Sequence, residues 1–212
     1  MFNVKPKEKQ HERTTFADIP VVFLSFDEPN ADRHWNLLQA VVPHKRIARV
    51  HGVKGFDAAH KAAADSFPMS DYVITVDADN QVDPKFFTKR LPPNMDGRIS
   101  FTWGGRQVTN GLMYGNGGLS SWTRTYVQNM HTHENTDGRT ETQVEFCFDP
   151  LYWPMYDCYS TTYPNGSAFH AWRAGFREGV KMCLNRGSRP TVSEFRDRVH
   201  QRNLDHLTIW HN

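Results

Sequence analysis

Along the first half of the chain, short unbroken apolar runs alternate with longer segments whose apolar positions recur at helical spacing. The run Ile19-Pro20-Val21-Val22-Phe23-Leu24-Ser25-Phe26 is nearly continuous and of strand length, the pattern of a strand covered on both faces. It stops at Asp27-Glu28-Pro29-Asn30, where Asn30 or Asp32 can cap a helix with Trp35, Leu38 and Val41 or Val42 on one face; Pro43 ends it. Ile47 to Val50 forms a second short strand. After Gly52 and Gly55, the segment Asp57 to Phe67 is rich in alanine, with Phe56, Ala59, Ala63 and Phe67 on one stripe, a thin face suited to close packing on a sheet. Tyr72-Val73-Ile74-Thr75-Val76 is a third, β-branched strand that runs directly into Asp77-Ala78-Asp79-Asn80.

Strand, helix, strand, helix, strand implies an α/β fold with a Rossmann-type, mostly parallel sheet flanked by helices and right-handed crossovers. Ligands of such sheets bind at the carboxyl ends of the strands, and both acidic clusters, Asp27-Glu28 and Asp77-Ala78-Asp79, fall there. The second half is less regular. Ile99 to Arg106 is expected as a strand, followed by a glycine-rich stretch from Asn110 to Gly118, a polar loop from His131 to Thr142 and a further strand from Val144 to Phe148. Ser167 can cap an amphipathic helix whose apolar face carries Phe169, Trp172, Phe176, Val180 and Cys183, with Trp172 expected to pack. Thr191 and Glu194 form a possible capping box for a last helix bearing Phe195 and Val199. There is no internal repeat.

Length and composition narrow the class. A chain of 212 residues fits one self-supporting domain; we expect a flexible leader over 1–18 and a single domain over 19–212, with 19–90 as its nucleotide-sugar-binding half and 91–212 as its acceptor half. Aromatic residues make up 13%, six of them Trp, which serves core packing or stacking platforms for bases and sugars. A net charge of +2 neither excludes nor strongly attracts a polyanion, so any nucleic-acid contact must be local. Cys147, Cys158 and Cys183 show no Cys-x-x-Cys spacing and leave one unpaired, favouring a reducing cytoplasm, the host's if the protein is viral. No apolar run approaches the roughly 20 residues of a membrane span, and no membrane partner is expected.

Asp77 and Asp79 lie one residue apart where a buried strand runs out, so both side chains can face the same way and share a hard cation such as Mn²⁺ or Mg²⁺. Such an ion can bridge a diphosphate and neutralise it as a leaving group. The plainer alternative is a turn, since Asp-Ala-Asp-Asn is also ordinary loop chemistry. His131-Thr132-His133-Glu134 contains ligand-type residues but sits in a polar loop, where solvation is expected rather than zinc.

Several segments together carry a family resemblance. Ser25-Phe26-Asp27-Glu28-Pro29-Asn30, Trp35-Asn36-Leu37-Leu38, Gly52-Val53-Lys54-Gly55, Ala59-His60-Lys61-Ala62-Ala63-Ala64 and Val76-Asp77-Ala78-Asp79 resemble the phage glycosyltransferases associated with hydroxymethylpyrimidine bases in DNA, grouped as partners of the TET/JBP dioxygenases. The resemblance continues through Tyr114-Gly115-Asn116-Gly117-Gly118 and Ala171-Trp172-Arg173-Ala174-Gly175-Phe176-Arg177-Glu178, and so spans about Ile19 to Trp210. It implies a GT-A-like fold, a UDP-sugar donor, a divalent metal and an acceptor such as 5-hydroxymethylcytosine in bacteriophage DNA. The family pattern runs on past Trp210, whereas this chain ends at Asn212, so a C-terminal part is expected to be missing.

Within that picture Asp27, Glu28 and Asn30 would receive uracil and ribose, or else cap the following helix. Lys54 and Gly55 would meet phosphate at a helix N-terminus, unless Gly55 only turns the chain. His60 and Lys61 join the donor-binding set, although a polar residue among alanines is costly unless it points away from the packed face; Lys61 equally suits solvent. Tyr114, Asn116, Gly117 and Gly118 would orient sugar or acceptor, a hairpin turn being the alternative. Trp172, Arg173 and Arg177 complete the substrate set, the two arginines one helical turn apart and suited to phosphates. Glu145, Asp149 and Asp157 are candidates for a general base, and His170, His200 or His206 for a late metal contact. Two rival functions stand beside this one: a transferase with saccharide or lipid-linked acceptors, and a noncatalytic nucleic-acid-binding module on the same fold.

Overall fold

A computed structural model of the chain describes residues 14–92, 97–130, 132, 150–183, 191–196 and 201–207. Its centre is β1, Val21–Ser25, buried along its whole length. Val21 and Phe23 enter one apolar cluster with Leu38, Ile74, Val76 and Phe101. Val22 and Leu24 enter the other with Ala63, Ala64, Val73 and Trp122. Successive side chains of a strand point to opposite faces, so a strand sandwiched between two layers must be apolar at every position. That is why the run reads as unbroken, and each such side chain contributes about 1.5–3 kcal/mol of burial.

Helix α1, Ala31–Val41, covers the first face through Ala31, His34 and Leu38. Beside β1 lies β2, Ile47–His51. Helix α2, Phe56–Asp65, covers the opposite face with Ala63 and Ala64. Next come β3, Tyr72–Asp77, and β4, Asn80–Val82. The second half supplies β5, Ser100–Gln107, β6, Met113–Thr123, helix α3, Arg124–Asn129, and β7, Tyr152–Thr162. Helix α4 spans Ala168–Cys183 and α5 Val192–Arg196.

All seven strands form one sheet in the order β2-β1-β3-β6-β5-β7-β4. β1 runs parallel to β2 and β3, β6 is antiparallel to β3 and β5, β7 is parallel to β5, and β4 is antiparallel to β7. Every strand except β6 and β4 therefore points the same way, and the carboxyl ends of β1 and β3 open on one edge. This is the α/β architecture expected, a mostly parallel sheet flanked by helices. Among the described residues no helix is long and apolar enough to cross a membrane.

Three elements depart from expectation. The leader does not extend to Asp18. Thr15 bridges Arg90, and Phe16 is 2% exposed, its ring stacked on Phe86 at 4.7 Å and set edge-on to Trp103 at 4.8 Å. One aromatic residue in a polar stretch has no period to betray it. Strand β7 was not expected because Pro154 interrupts a sequence without clean alternation. It is tolerated because β4 pairs only with Ser160, Thr161 and Thr162, leaving the first part of β7 bonded on one side, while β5 makes register shifts against it. The glycine-rich stretch, whose plainer reading is a hairpin turn, instead runs within one long strand: Met113–Thr123 contains Gly115, Gly117 and Gly118. The strand expected over Val144–Phe148 lies outside the described residues.

The capping box of α5 forms as expected: Thr191 N donates to Glu194 Oε2 at 2.8 Å, and Glu194 N donates to Thr191 Oγ1 at 3.3 Å. The side chain of Phe195, and Val199, lie outside the described residues. The 3₁₀ segment Gln201–His206 is sewn to β6 by Asn203, whose amide accepts from Met113 N at 2.9 Å and donates to Met113 O at 2.8 Å.

Candidate active site

At the carboxyl ends of β1 and β3 an open cleft of about 1120 Å³ is walled by the β1–α1 loop, the N-terminal half of α2 and the cleft-facing side of α4. Asp77, the last residue of β3, and Asp79, two residues on, both line it. Burial pushes the Asp77 carboxyl up to about 8, with the neighbouring charges of Asp79 and Glu28 adding to the shift. Asp79 is raised by burial and by Glu28, against a hydrogen bond from Asn80 that lowers it. Glu28 is held in the β1–α1 loop, where its Oε2 accepts from Phe26 N at 2.8 Å. Carboxylates so placed repel one another and favour a cation.

Among the described residues no group of three or more His, Cys, Asp or Glu side chains could hold a metal by itself. The donor set fits a hard cation that keeps most of its shell for other oxygens. Mg²⁺ and Mn²⁺ sites commonly take one or two carboxylates and fill the remainder with water and substrate phosphate.

The turn between the two aspartates is braced by residues the sequence did not single out. His34, on the buried face of α1, donates from Nδ1 to Ala78 O at 2.7 Å, with its ring 5.2 Å from that of Tyr163. Tyr163 N donates to Asp79 O at 2.7 Å. Asn80 donates from its amide to Asp79 Oδ1 at 2.7 Å and accepts from Thr162 Oγ1 at 3.2 Å. A faint signal existed: Ala31, His34 and Leu38 repeat at helical spacing, so a histidine on that stripe must be buried and bonded.

The expected donor-side residues divide. Asp27, Glu28, Asn30, Lys54, Gly55 and His60 all line the cleft. Gly55 is the N-cap of α2 with φ of 97°, a left-handed conformation suited to glycine, so its role as a turn and its place at a helix N-terminus coincide. Asn30 occupies the N-cap position of α1 without a side-chain capping bond. Asp27 Oδ1 lies 3.7 Å from His170 Nε2, tying the β1–α1 loop to the start of α4.

His60 corrects the expectation that it faces outward. It is 2% exposed, its ring is stacked on Phe56 at 3.9 Å, and its Nδ1 donates to Phe56 O at 2.9 Å. Burial pulls its pKa down to about 4, so the imidazole is neutral near pH 7. Nδ1 thus carries the proton, and Nε2 is a buried acceptor without a hydrogen-bond partner among the described residues, the ring lying edge-on to Trp122 at 5.2 Å. Lys61, the next residue on α2, is turned about 100° away and does not line the cleft. It is an ordinary helix lysine rather than a donor ligand.

The acceptor-side expectations change more. The space above Gly118 is occupied by Asn80, whose Nδ2 would lie 2.1 Å from an added Cβ. Gly118 therefore admits the brace of Asp79 rather than a ligand. Gly115 lines the cleft with open space over it. Gly117 lies within β6, and the side chains of Tyr114 and Asn116 fall outside what is described. Asp157 is exposed on β7, its Oδ2 accepting from Tyr159 OH at 3.3 Å, and it does not line the cleft. Its candidacy as a base lapses, because alternation along the strand turns it away. Glu145 and Asp149 lie outside the described residues, as do His131, His133, Glu134 and His200. His206 packs against Gly111, where an added Cβ would meet its ring at 2.9 Å.

On α4, Arg173 and Arg177 line the cleft together with His170. Trp172 corrects the packing expectation, being 65% exposed, with Phe169 and Phe176 each at 60%. The stripe has the right period for a core-facing helix but lies on the side of α4 away from the cleft. The side chains of Val180 and Cys183 are not described.

No family model and no curated protein matches the chain. Among solved structures it is similar to a glycosyltransferase involved in the glycosylation of the major capsid of PBCV-1, with 15% identity over 75% of this chain and 98% of that one and a TM-score of 0.45. It is also similar to HddC from Yersinia pseudotuberculosis, at 11% identity over 74% and 97% of the two chains and a TM-score of 0.46. The glycosyltransferase GlyE of Streptococcus pneumoniae follows at 13% identity over 66% of this chain and 46% of that one, TM-score 0.36.

Proposed function

We propose that this protein is a metal-dependent glycosyltransferase that moves a sugar from a UDP-sugar to a hydroxyl, the acceptor being a hydroxymethylated pyrimidine in phage DNA. The observation that carries the reading is the raised carboxyl pair Asp77 and Asp79 in one cleft with Lys54 and the N-terminus of α2. Acidic floor and cationic wall together suit a cation and the diphosphate it accompanies, whereas a turn would leave the carboxylates in solvent.

Asp77 and Asp79 would hold Mn²⁺ or Mg²⁺, which supplies charge neutralisation to a departing diphosphate. Lys54 and the free amides at the start of α2 add fixed positive potential on the same side. The carboxylates of Asp27 and Glu28 offer acceptors for ribose hydroxyls or a base N–H. In the transfer, the acceptor oxygen bonds to the anomeric carbon as the bond from that carbon to the diphosphate oxygen breaks. The electron pair leaves with UDP and the acceptor proton passes to a base. Arg173 and Arg177 keep the other wall cationic, where a polyanionic acceptor would arrive.

The decisive measurement is UDP release from a panel of UDP-sugars in the presence of Mn²⁺. Release should vanish in EDTA and fall at least about 100-fold in D77A and D79A, the scale of several kcal/mol of charge stabilisation. Metal-independent release, undiminished in D79A, would refute the assignment. Absence of release with every donor would favour the binding-module alternative. Mass spectrometry of hydroxymethylated DNA after the same incubation tests the acceptor.

A further inference from the structure

Helix α4 carries two unlike sides next to one another. At about 100° per residue, Phe169, Trp172 and Phe176 fall within one sector, and Arg173, Arg177 and His170 within the adjacent one. Arg173 lies nearest the boundary. The three rings form a ladder, Phe169 to Trp172 at 6.3 Å and 29°, Trp172 to Phe176 at 5.6 Å and 22°. All three are 60–65% exposed. Rings stacked on each other, yet open to solvent on their outer side, hold apolar faces in register without burying them in a core. Beside them, Arg173 and Arg177 line the cleft without an ion-pair partner among the described residues.

We infer that this ladder, with Arg173 and Arg177, seats an unpaired nucleic-acid strand, whose bases stack on the rings while its phosphates meet the guanidiniums at the cleft mouth. The inference rests on the transferase reading for its direction and adds the strandedness of the acceptor and the surface that receives it. Stacking platforms beside a cationic groove are the general solution for single strands, because every base offers a π-face and every nucleotide a charge. A duplex would present its phosphates but not its base faces.

Charge placement favours this occupant over a lipid surface. A helix lying in a bilayer interface carries basic residues along its polar face with the apolar face toward the acyl chains. Here the arginines turn into a cleft floored by carboxylates, and the far border of the stripe holds Ala168, Ala171, Gly175 and Gly179.

The test is fluorescence anisotropy of the full chain with a labelled oligodeoxynucleotide of about 16 nucleotides, the upper end of the site sizes of such surfaces, single-stranded or annealed. It is run in EDTA without nucleotide sugar, so that the donor site plays no part. The single strand should bind more tightly than the duplex. W172A should weaken it about 5- to 150-fold, W172F should retain most of the affinity, and R173Q should lower the salt slope by about 0.7. Circular dichroism confirms that each variant is folded. Equal affinity for duplex and single strand, or an unchanged constant in W172A, overturns the inference. Co-sedimentation with anionic phosphatidylserine vesicles that W172A abolishes, in the absence of strand binding, overturns it in favour of a membrane. A dimer in sedimentation velocity that W172A dissociates overturns it in favour of self-association. Metal-dependent UDP release without strand binding defeats this inference alone, and strand binding without UDP release defeats the transferase reading alone.

Discussion

Replacing Asp77 by Asn in metal-free protein should stabilise the fold at alkaline pH and leave it unchanged in acid. The carboxyl is raised from 3.8 to about 8, chiefly by burial and then by Asp79 and Glu28. A group with a folded pKa above its unfolded one contributes stability that is fully present below the unfolded value and is lost as pH rises through the folded value. In wild type that window runs from about 4 to about 8. A shift of roughly four units corresponds to a ceiling of about 6 kcal/mol. Residual solvent contact and relaxation of the cleft reduce this, and about 2–4 kcal/mol is the working figure.

Asparagine keeps the shape of the protonated acid and cannot ionise. The D77N variant should therefore match wild type at pH 4 and exceed it at pH 9 by about 4–16 °C in Tm, using roughly 2–4 °C per kcal/mol for a chain of this size. Thermal unfolding followed by circular dichroism in EDTA across that range measures the difference directly: groups remote from Asp77 cancel between the two proteins, and Asp79 and Glu28, whose charges couple to it, add to the same difference. Adding Mn²⁺ should raise the Tm of wild type at pH 8 and leave D77N nearly unmoved. A Tm difference that stays flat with pH would show that the Asp77 carboxylate is neither buried from water nor confined among like charges. The electrostatic case for a cation site would then fail.

Three further outcomes follow from the surroundings. G118A should lower the apparent Mn²⁺ affinity in UDP release about 10–100-fold, with a stability cost of about 1–3 kcal/mol, because an added Cβ displaces Asn80 and hence its bond to Asp79. F16A should cost about 3–5 kcal/mol and lower Tm by about 6–20 °C in thermal unfolding, where a residue of a flexible leader would cost nothing. His60 should titrate near pH 4 in an NMR titration of its Hε1 resonance. Its folded pKa lies below the unfolded 6.5, so its contribution of about 3 kcal/mol is present above pH 6.5 and lost as pH falls through 4.

The parallel half was legible because its constraints are local. A strand covered on both faces has no freedom to be polar, and a helix packed on a sheet must show its stripe, so Val21–Ser25, Ala31–Val41 and Tyr72–Asp77 announce themselves. Of the β5–β7 region only β5 was legible, expected over Ile99 to Arg106 and found at Ser100–Gln107; β6 and β7 were not, because they are bonded by long-range partners whose identity no short window contains. Gly118, within the glycine-rich stretch, clears space for Asn80, and Pro154 sits where one side of a strand is unpaired. The direction of a helical stripe is a tertiary property too. The period of Phe169, Trp172 and Phe176 fixes a face but not what lies opposite it, and here nothing among the described residues covers it.

The same distinction separates the legible part of the site from the rest. Asp77 and Asp79 stand out because a strand end fixes both their place and their spacing, but what would make them the proposed cation seat is supplied from elsewhere. His34 comes from α1, Asn80 from β4, Tyr163 from beyond β7, and Glu28 from the loop after β1. Each acts on the short turn Asp77-Ala78-Asp79, holding its backbone or the Asp79 carboxylate or charging its surroundings, and none is recognisable until the sheet order brings β3 next to β1 and the end of β7 next to β4. The turn alternative and the cation alternative share one sequence and differ only in that shell. A surface turn would leave its carboxyls near their ordinary range, whereas here burial and like charge raise both. Holding two acids in that state disfavours the empty fold, and the disfavour would be relieved by what the proposed nucleotide-sugar site would recruit, a divalent cation carrying a diphosphate.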